Sequence, residues 1–261
     1  MNRTYIIAEM AWSHTGNLNI ALEILKSVKQ SGADAISIHL TNMSTYMVKD
    51  YKCLAGTTLS ASADNESSIY DYLNTINLTE NEWKTFSNEA KKIDIDLVVM
   101  CNDIESFEFS LELQVSRYVI PASNFLEYNY IERIVKKNSN LILRSGGATL
   151  EEVIKIVEYI FKLENRAKIC LLAGIQLYPT PIDQLHIASL KTLAEKFKNK
   201  NLSFGLADHI DGDNQFAKYL PALAIPYGAT VLEKHITRTR EEKLEDFIPK
   251  NTDQLIDILH W

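Results

Sequence analysis

Short apolar runs recur along the chain, separated by longer amphipathic stretches. Eight runs stand out, at residues 5–10, 35–40, 96–101, 117–120, 140–144, 168–173, 203–207 and 230–235. Runs this short and this continuously apolar predict strands of a parallel sheet buried on both faces. The stretches at 19–31, 79–93, 149–163, 183–198 and 214–227 carry helical spacing and predict the crossovers that return one parallel strand to the next. Thr79-Glu80-Asn81-Glu82 has the spacing of a capping box, and Thr149 precedes Glu151 and Glu152, whose charges suit a helix amino end. Strand–helix units repeated eight times over about 250 residues predict an α/β fold, a single (β/α)8 TIM barrel. It fills residues 1–261 as one domain, with a last helix at 252–261.

Residues 41–77 break the rhythm. They are rich in Ser, Thr, Asn and Ala, lack a steady period, and read as an elaborated loop after the second strand. It lies on the face where strand carboxyl ends gather, as either a substrate lid or a disordered insertion.

Composition narrows the function classes. Of 261 residues, 46% are hydrophobic and 23% charged, enough to bury a large core. The net charge of −7 argues against nucleic acid as partner, because phosphate backbones are bound by basic surfaces. Cys53, Cys101 and Cys170 form no CxxC pair and read as reduced thiols. Neither a signal-peptide pattern nor an apolar run of about 20 residues occurs, so the expectation is a cytoplasmic protein without a membrane partner.

Side chains alternate across a strand, so residues two apart share a face. This groups Glu233 with His235, Ala207 with His209, and Ser37 with His39, while His14 follows the first strand. In a closed barrel these strand ends are consecutive, so four histidines converge on one arc of the rim. Neutral imidazole is a common ligand of transition ions, and an open metal site is one reading. Loop histidines exposed to solvent or bonded to carbonyls are the other. Asp208 and Glu233 are groups that could orient an imidazole or form ordinary ion pairs. Gln176 and Tyr178 share a face beside two prolines and offer an amide and a phenol to a hydroxylated substrate. Arg144, followed by Ser145-Gly146-Gly147, can grip a carboxylate or phosphate, or form a surface salt bridge.

Several segments taken together resemble the sialic acid synthase family. They are Ile6-Ile7-Ala8-Glu9, Ser13-His14-Thr15-Gly16-Asn17, Ser31-Gly32-Ala33-Asp34-Ala35, Tyr178-Pro179-Thr180-Pro181, Ala207-Asp208-His209 and the run from Gly228 to His235. The resemblance implies condensation of phosphoenolpyruvate with N-acetylmannosamine or a related sugar, in a homodimer. It implies a divalent ion at His209 and His235, manganese first, with magnesium, cobalt or zinc as alternatives. It also implies sugar contacts from Tyr178 and Asp246. The chain departs from the family at Ser37 and Val119, where the family has lysines. Further departures are Met100, Ala122, Asn124, Arg144, Gln176 and Ala207, and the family's carboxy-terminal antifreeze-like domain has no counterpart in the 261 residues.

The expected catalytic groups are therefore Glu233, His39, His14 and Asp208, and the expected substrate contacts are Arg144, Gln176, Tyr178, Asp246, Ser37 and Asn124. Three functions remain open: a divergent synthase of nonulosonate sugar acids, a metal-dependent aldolase or lyase acting on a substrate without phosphate, and a non-catalytic sugar-binding barrel.

Overall fold

The computed structural model of the protein describes residues 3–49, 69–198, 200–238 and the backbone of 254–255. Eight parallel strands close on themselves: β1 (Tyr5–Glu9), β2 (Ala35–Leu40), β3 (Asp96–Cys101), β4 (Arg117–Ile120), β5 (Asn140–Arg144), β6 (Lys168–Ala173), β7 (Leu202–Asp208) and β8 (Ala229–Thr237). The closing register pairs Ile7 with Glu233 and Glu9 with His235, in parallel. A short β9 (Gln254–Leu255) adds to the end of β8 beside Ile236 and Thr237. The fold is a (β/α)8 barrel.

Helices α1 (Leu18–Ser31), α2 (Met43–Tyr46), α3 (Ile69–Thr75), α4 (Glu80–Lys92), α5 (Ile104–Ser110), α6 (Tyr128–Lys137), α7 (Leu150–Leu163), α8 (Ser189–Lys196) and α9 (Leu220–Leu223) occupy the connections. Local chemistry sets their ends. Asn17 accepts the amides of Asn19 and Ile20 to start α1, and Gly32, at φ 81°, ends it in the left-handed conformation that glycine tolerates. Thr79 with Glu82, and Thr149 with Glu152, form complete capping boxes on α4 and α7. α1 buries Ile24, Leu25 and Val28 against the barrel wall, worth about 1.5–3 kcal/mol each as an upper estimate.

The alternation of the strands makes two cores. Outward side chains such as Ile36, Val99, Leu143 and Leu171 pack under the helices. Inward ones, among them Ile7, Ala35, Val98, Val119, Ile142, Cys170 and Val231, fill the barrel. At its amino-terminal end Arg117 lies 4.1 Å from the Tyr5 ring centroid, and the Tyr5 hydroxyl donates to Asp96. That mouth is closed by packing, so the opposite one is left for chemistry.

Three predicted elements change. Residues 214–227 form mostly turns around α9 and one 3-10 turn (Ile225–Tyr227), because Pro221 and Pro226 each remove a backbone donor and restrict the residue before them. The stretch 183–198 begins as a 3-10 turn (Ile182–Gln184) and becomes helical only at Ser189, after His186 takes a positive φ of 46°. In 252–261, residues Gln254–Leu255 form a strand instead of helix, and the remainder lies outside the described residues. The connection 41–77 carries α2 and α3, and its residues 50–68 lie outside the described set. Tyr72 on α3 and Ile76 just after it form a small apolar cluster with Trp12 and Met47. No described helix is long and apolar enough to cross a membrane. Cys101 and Cys170 are free and buried, and burial pushes the Cys170 thiol up to about 12, so both are protonated and inert.

Candidate active site

Glu9 ends β1 pointing into the barrel, fully buried. A lone buried carboxylate would be expensive, and three donors surround this one. Its Oε1 accepts the Ala11 amide at 2.9 Å and lies 3.4 Å from His39 Nε2, while Oε2 accepts from Arg144 Nη2 at 3.1 Å. Burial alone would raise its pKa, but the neighbouring His39 and Arg144 win and hold Glu9 well below the usual carboxylate range.

The same Arg144 Nη2 donates to Glu233 Oε1 at 2.5 Å. Arg144 reaches from β5 across the barrel and joins carboxylates on β1 and β8. Its side chain is only 5% exposed. Burial pushes Glu233 up, with Arg144 opposing. Both bonds leave from one nitrogen; Nε is buried without a hydrogen-bond partner among the described residues, and Arg144 also lines the cavity above.

That cavity, about 420 Å³, opens at the carboxyl ends of the strands. Its polar walls are His39, Asn102, Ser123, Arg144, Gln176, Tyr178, His209 and His235, and Trp12, Tyr46 and Met100 add apolar surface. The His209 and His235 ring centroids are 4.9 Å apart, and Tyr178 stands 5.8 Å from each. His209 Nδ1 donates to the Ile175 carbonyl at 3.0 Å, which fixes the tautomer and turns the Nε2 lone pair outward. Burial lowers both imidazole pKa values, well below the ordinary range for His235. Two neutral imidazoles side by side are the donor set a divalent transition ion needs. Among the described residues no cluster of three or more His, Cys, Asp or Glu is placed to hold an ion. The fit is therefore to an open site with two protein donors.

Glycines let the strand ends crowd together here. Gly174, at φ 143°, sits where a Cβ would lie 2.0 Å from the Ala207 carbonyl oxygen, so β6 and β7 approach closer than any side chain permits.

Of the sequence-predicted residues, His39, Arg144, Gln176, Tyr178, His209 and His235 line this one cavity. Glu233 lies beneath it, bonded to Arg144. Ser37 is buried in the barrel below, its hydroxyl without a hydrogen-bond partner among the described residues. Asn124 does not line the cavity; its amide donates to the Asn102 carbonyl at 3.4 Å, behind a residue that does. Asp208 faces the other way, taking Lys234 Nζ at 2.7 Å. Its Oδ1 is engaged by that pair, and Asp208 is not among the residues lining the cavity. His14 is also apart from the cavity, edge-on to Trp83 with a centroid distance of 5.4 Å, and its Nδ1 accepts the Gly16 amide. Asp246 lies outside the described residues.

Sequence reasoning missed Glu9, Trp12 and Asn102. For Glu9 the signal was present: Tyr5, Ile7 and Glu9 share the inward face, and a carboxylate ending an inward apolar run requires a partner.

Geometry defines the class first: a closed (β/α)8 barrel with a histidine-walled cavity at its catalytic face. The NeuB family profile matches residues 24–253, and the chain belongs to that family. The chain is 28% identical to a pseudaminic acid synthase of Campylobacter jejuni over 253 residues, covering 94% of this chain and 68% of that enzyme. It is 28% identical to an N,N'-diacetyllegionaminic acid synthase of Legionella pneumophila over 236 residues, covering 89% of this chain and 64% of that enzyme. The chain thus spans about two thirds of the length of these curated relatives. The solved N-acetylneuraminic acid synthetase of Leptospira borgpetersenii superposes with a TM-score of 0.80 at 21% identity, over 99% of this chain and 81% of that one, a likeness of fold.

Proposed function

We propose that this barrel builds a sugar acid by joining a three-carbon unit, phosphoenolpyruvate or a related acid, to the aldehyde carbon of an amino sugar. The observation that carries the reading is the pair of neutral imidazoles, His209 and His235, side by side on the cavity wall with Tyr178 against both. The named activities of relatives, synthesis of pseudaminic and diacetyllegionaminic acids, support the product class.

His209 and His235 would hold the divalent ion, manganese first, which supplies Lewis-acid polarisation of a carbonyl. The chain's own residues do the rest. Tyr178 and Gln176 offer hydrogen bonds to the sugar hydroxyls, and Asp246 joins them. Arg144 receives the acid end of the three-carbon unit. His39, beside Glu9 and on the cavity wall, moves a proton at the reacting carbons. Glu9 and Glu233 are positioning residues that hold Arg144. His14 is assigned no step.

The test supplies an N-acylated mannosamine-type sugar and manganese with either phosphoenolpyruvate or pyruvate. Formation of a 2-oxo sugar acid, read by mass spectrometry, is the expected result. No such product from either donor would overturn the reading, as would unchanged manganese binding after His209→Ala and His235→Ala together.

A further inference from the structure

We infer that Trp12 is a specificity-determining residue whose indole packs on the acyl group carried by the nitrogen of the amino sugar, so that apolar acyl groups are preferred over hydroxylated ones. The inference rests on the condensation reading above and specifies its sugar.

The loop that leaves β1 is built to hold this side chain. Ala11 takes a positive φ of 45°, a conformation that strains a residue with a Cβ and persists only where the surroundings enforce it. Its amide is held by Glu9 Oε1 at 2.9 Å. On the other side of Trp12, the buried Ser13 donates its hydroxyl to the Ile236 carbonyl on β8 at 3.0 Å. Gly16, at φ 73°, passes so close to the end of α3 that a Cβ would lie 2.9 Å from Ile76 Cα. The indole itself is packed on several sides. Its centroid is 6.2 Å from that of the fully buried His14 and 6.5 Å, edge-on, from that of His39, and it joins Met47, Tyr72 and Ile76. Trp12 is nonetheless only half-buried and lines the cavity. A ring fixed in this way presents a rigid apolar surface to a ligand.

Its place in the barrel says which part of the sugar meets it. β1 lies between β8 and β2, so the loop after it stands between the strand ends that carry His235 and His39. The aldehyde belongs at His209 and His235, and His39 serves the reacting carbons. In a mannosamine-type sugar the nitrogen is on the carbon next to the aldehyde, so its acyl group lies beside the reacting centre. Gln176 and Tyr178, which offer hydrogen bonds, come from the connection after β6, whereas Trp12, Tyr46 and Met100 come from β1 to β3 and their exits. Of the polar groups on that second side, Asn102 gives its amide to Thr41 Oγ1 at 2.7 Å and His39 Nε2 lies against Glu9. Hydroxyls are matched by the first wall and an acyl tail by the second.

The experiment uses the N-acetyl, N-propanoyl, N-glycolyl and N-butanoyl derivatives of mannosamine. Each is assayed as the aldehyde with phosphoenolpyruvate and manganese, and as the reduced, unreactive alditol in calorimetric binding to the manganese-loaded protein. Propanoyl and glycolyl groups have nearly the same shape and differ in a methyl for a hydroxyl. Wild type is expected to prefer propanoyl over acetyl by about fourfold, the worth of one buried methylene. It should prefer propanoyl over glycolyl by about tenfold, because the indole face offers the hydroxyl no partner. Both preferences should sit in KM and in the alditol Kd, with kcat nearly constant. Trp12→Gln should bring the propanoyl-to-glycolyl ratio below about twofold. Trp12→Phe, with a smaller ring, should keep that ratio and raise the butanoyl-to-acetyl ratio about threefold or more, because the wall recedes. A side chain that only supported the fold would weaken every sugar equally and leave both ratios intact. That result, or a wild-type propanoyl-to-glycolyl ratio near one, would overturn the inference. If Trp12→Gln fails to fold, the shift in Trp12→Phe decides. Failure of the condensation reading looks different: the alditols bind with the expected ratios, yet no sugar acid forms.

Discussion

Replacing Arg144 by methionine tests the charge arrangement under the cavity. The substitution keeps much of the side-chain volume but strips the guanidinium that is bonded to both Glu233 and Glu9, two fully buried carboxylates. Removing one partner of a buried ion pair typically costs about 3–5 kcal/mol, because the remaining charge is left without compensation. Against a folding stability of about 5–15 kcal/mol, that is a large share. The cost also has a pH signature. Without Arg144, the Glu233 carboxyl, which burial already raises, is pushed further above its unfolded value of about 4.3, so folding takes up a proton. A raised carboxyl pKa lowers stability at high pH and returns it as pH falls towards the unfolded value. Urea unfolding at pH 8, 7, 6 and 5 should therefore show a deficit that shrinks on acidification, and adding Glu233→Gln should recover part of it at pH 8. A deficit below about 1 kcal/mol, or one independent of pH, would refute the claim that Arg144 neutralises these carboxylates.

Other consequences can be checked in parallel. Burial holds the His14 pKa at about 4, below its ordinary 6.5, so its contribution to stability is complete above pH 6.5 and is lost as pH falls from 6.5 towards 4. The full loss is about 3 kcal/mol, and His14→Gln should flatten the unfolding curve over that window relative to wild type. His209→Ala and His235→Ala should each lower bound manganese after gel filtration, read by elemental analysis, while His14→Gln leaves it unchanged; equal manganese in all three would remove the two-imidazole site. Gly174→Ala forces a Cβ into the Ala207 carbonyl at a positive φ and should cost about 3 kcal/mol. For a chain this long that is a fall in thermal midpoint of roughly 6–12 °C, and an unchanged midpoint would mean that β6 and β7 need no such approach.

The barrel was legible because parallel strands buried on both faces must be apolar throughout, and that continuity marks all eight. The capping boxes at Thr79 and Thr149 were equally local and equally readable. The region 214–227 misled because Phe216, Leu220, Leu223 and Tyr227 keep helical spacing while the prolines among them deny the backbone its bonds. At the site, alternation put His235 and Glu233 inward and Lys234 outward, as the structure has them. For Asp208 an ion pair was one of the two readings left open, but alternation alone did not name that same lysine as its partner. Arg144 was read as a group for a ligand, with a surface ion pair as alternative. Its carboxylate partners are 135 and 89 residues away, and pairings at such distances leave no mark on the neighbouring sequence.

Those separations bear on how the molecule folds. Arg144 cannot meet Glu9 and Glu233 until β1, β5 and β8 are all in place, so this contact belongs to the last stage of ring closure. A chain collapsed around half of the strands would bury one sign of charge without the other, which is costly. The ion triad thus penalises incomplete barrels as well as joining complete ones. Its geometry ties the late, slow step expected of long-range parallel pairing to the completion of the cavity floor, so that a barrel able to receive substrate is one that has finished closing.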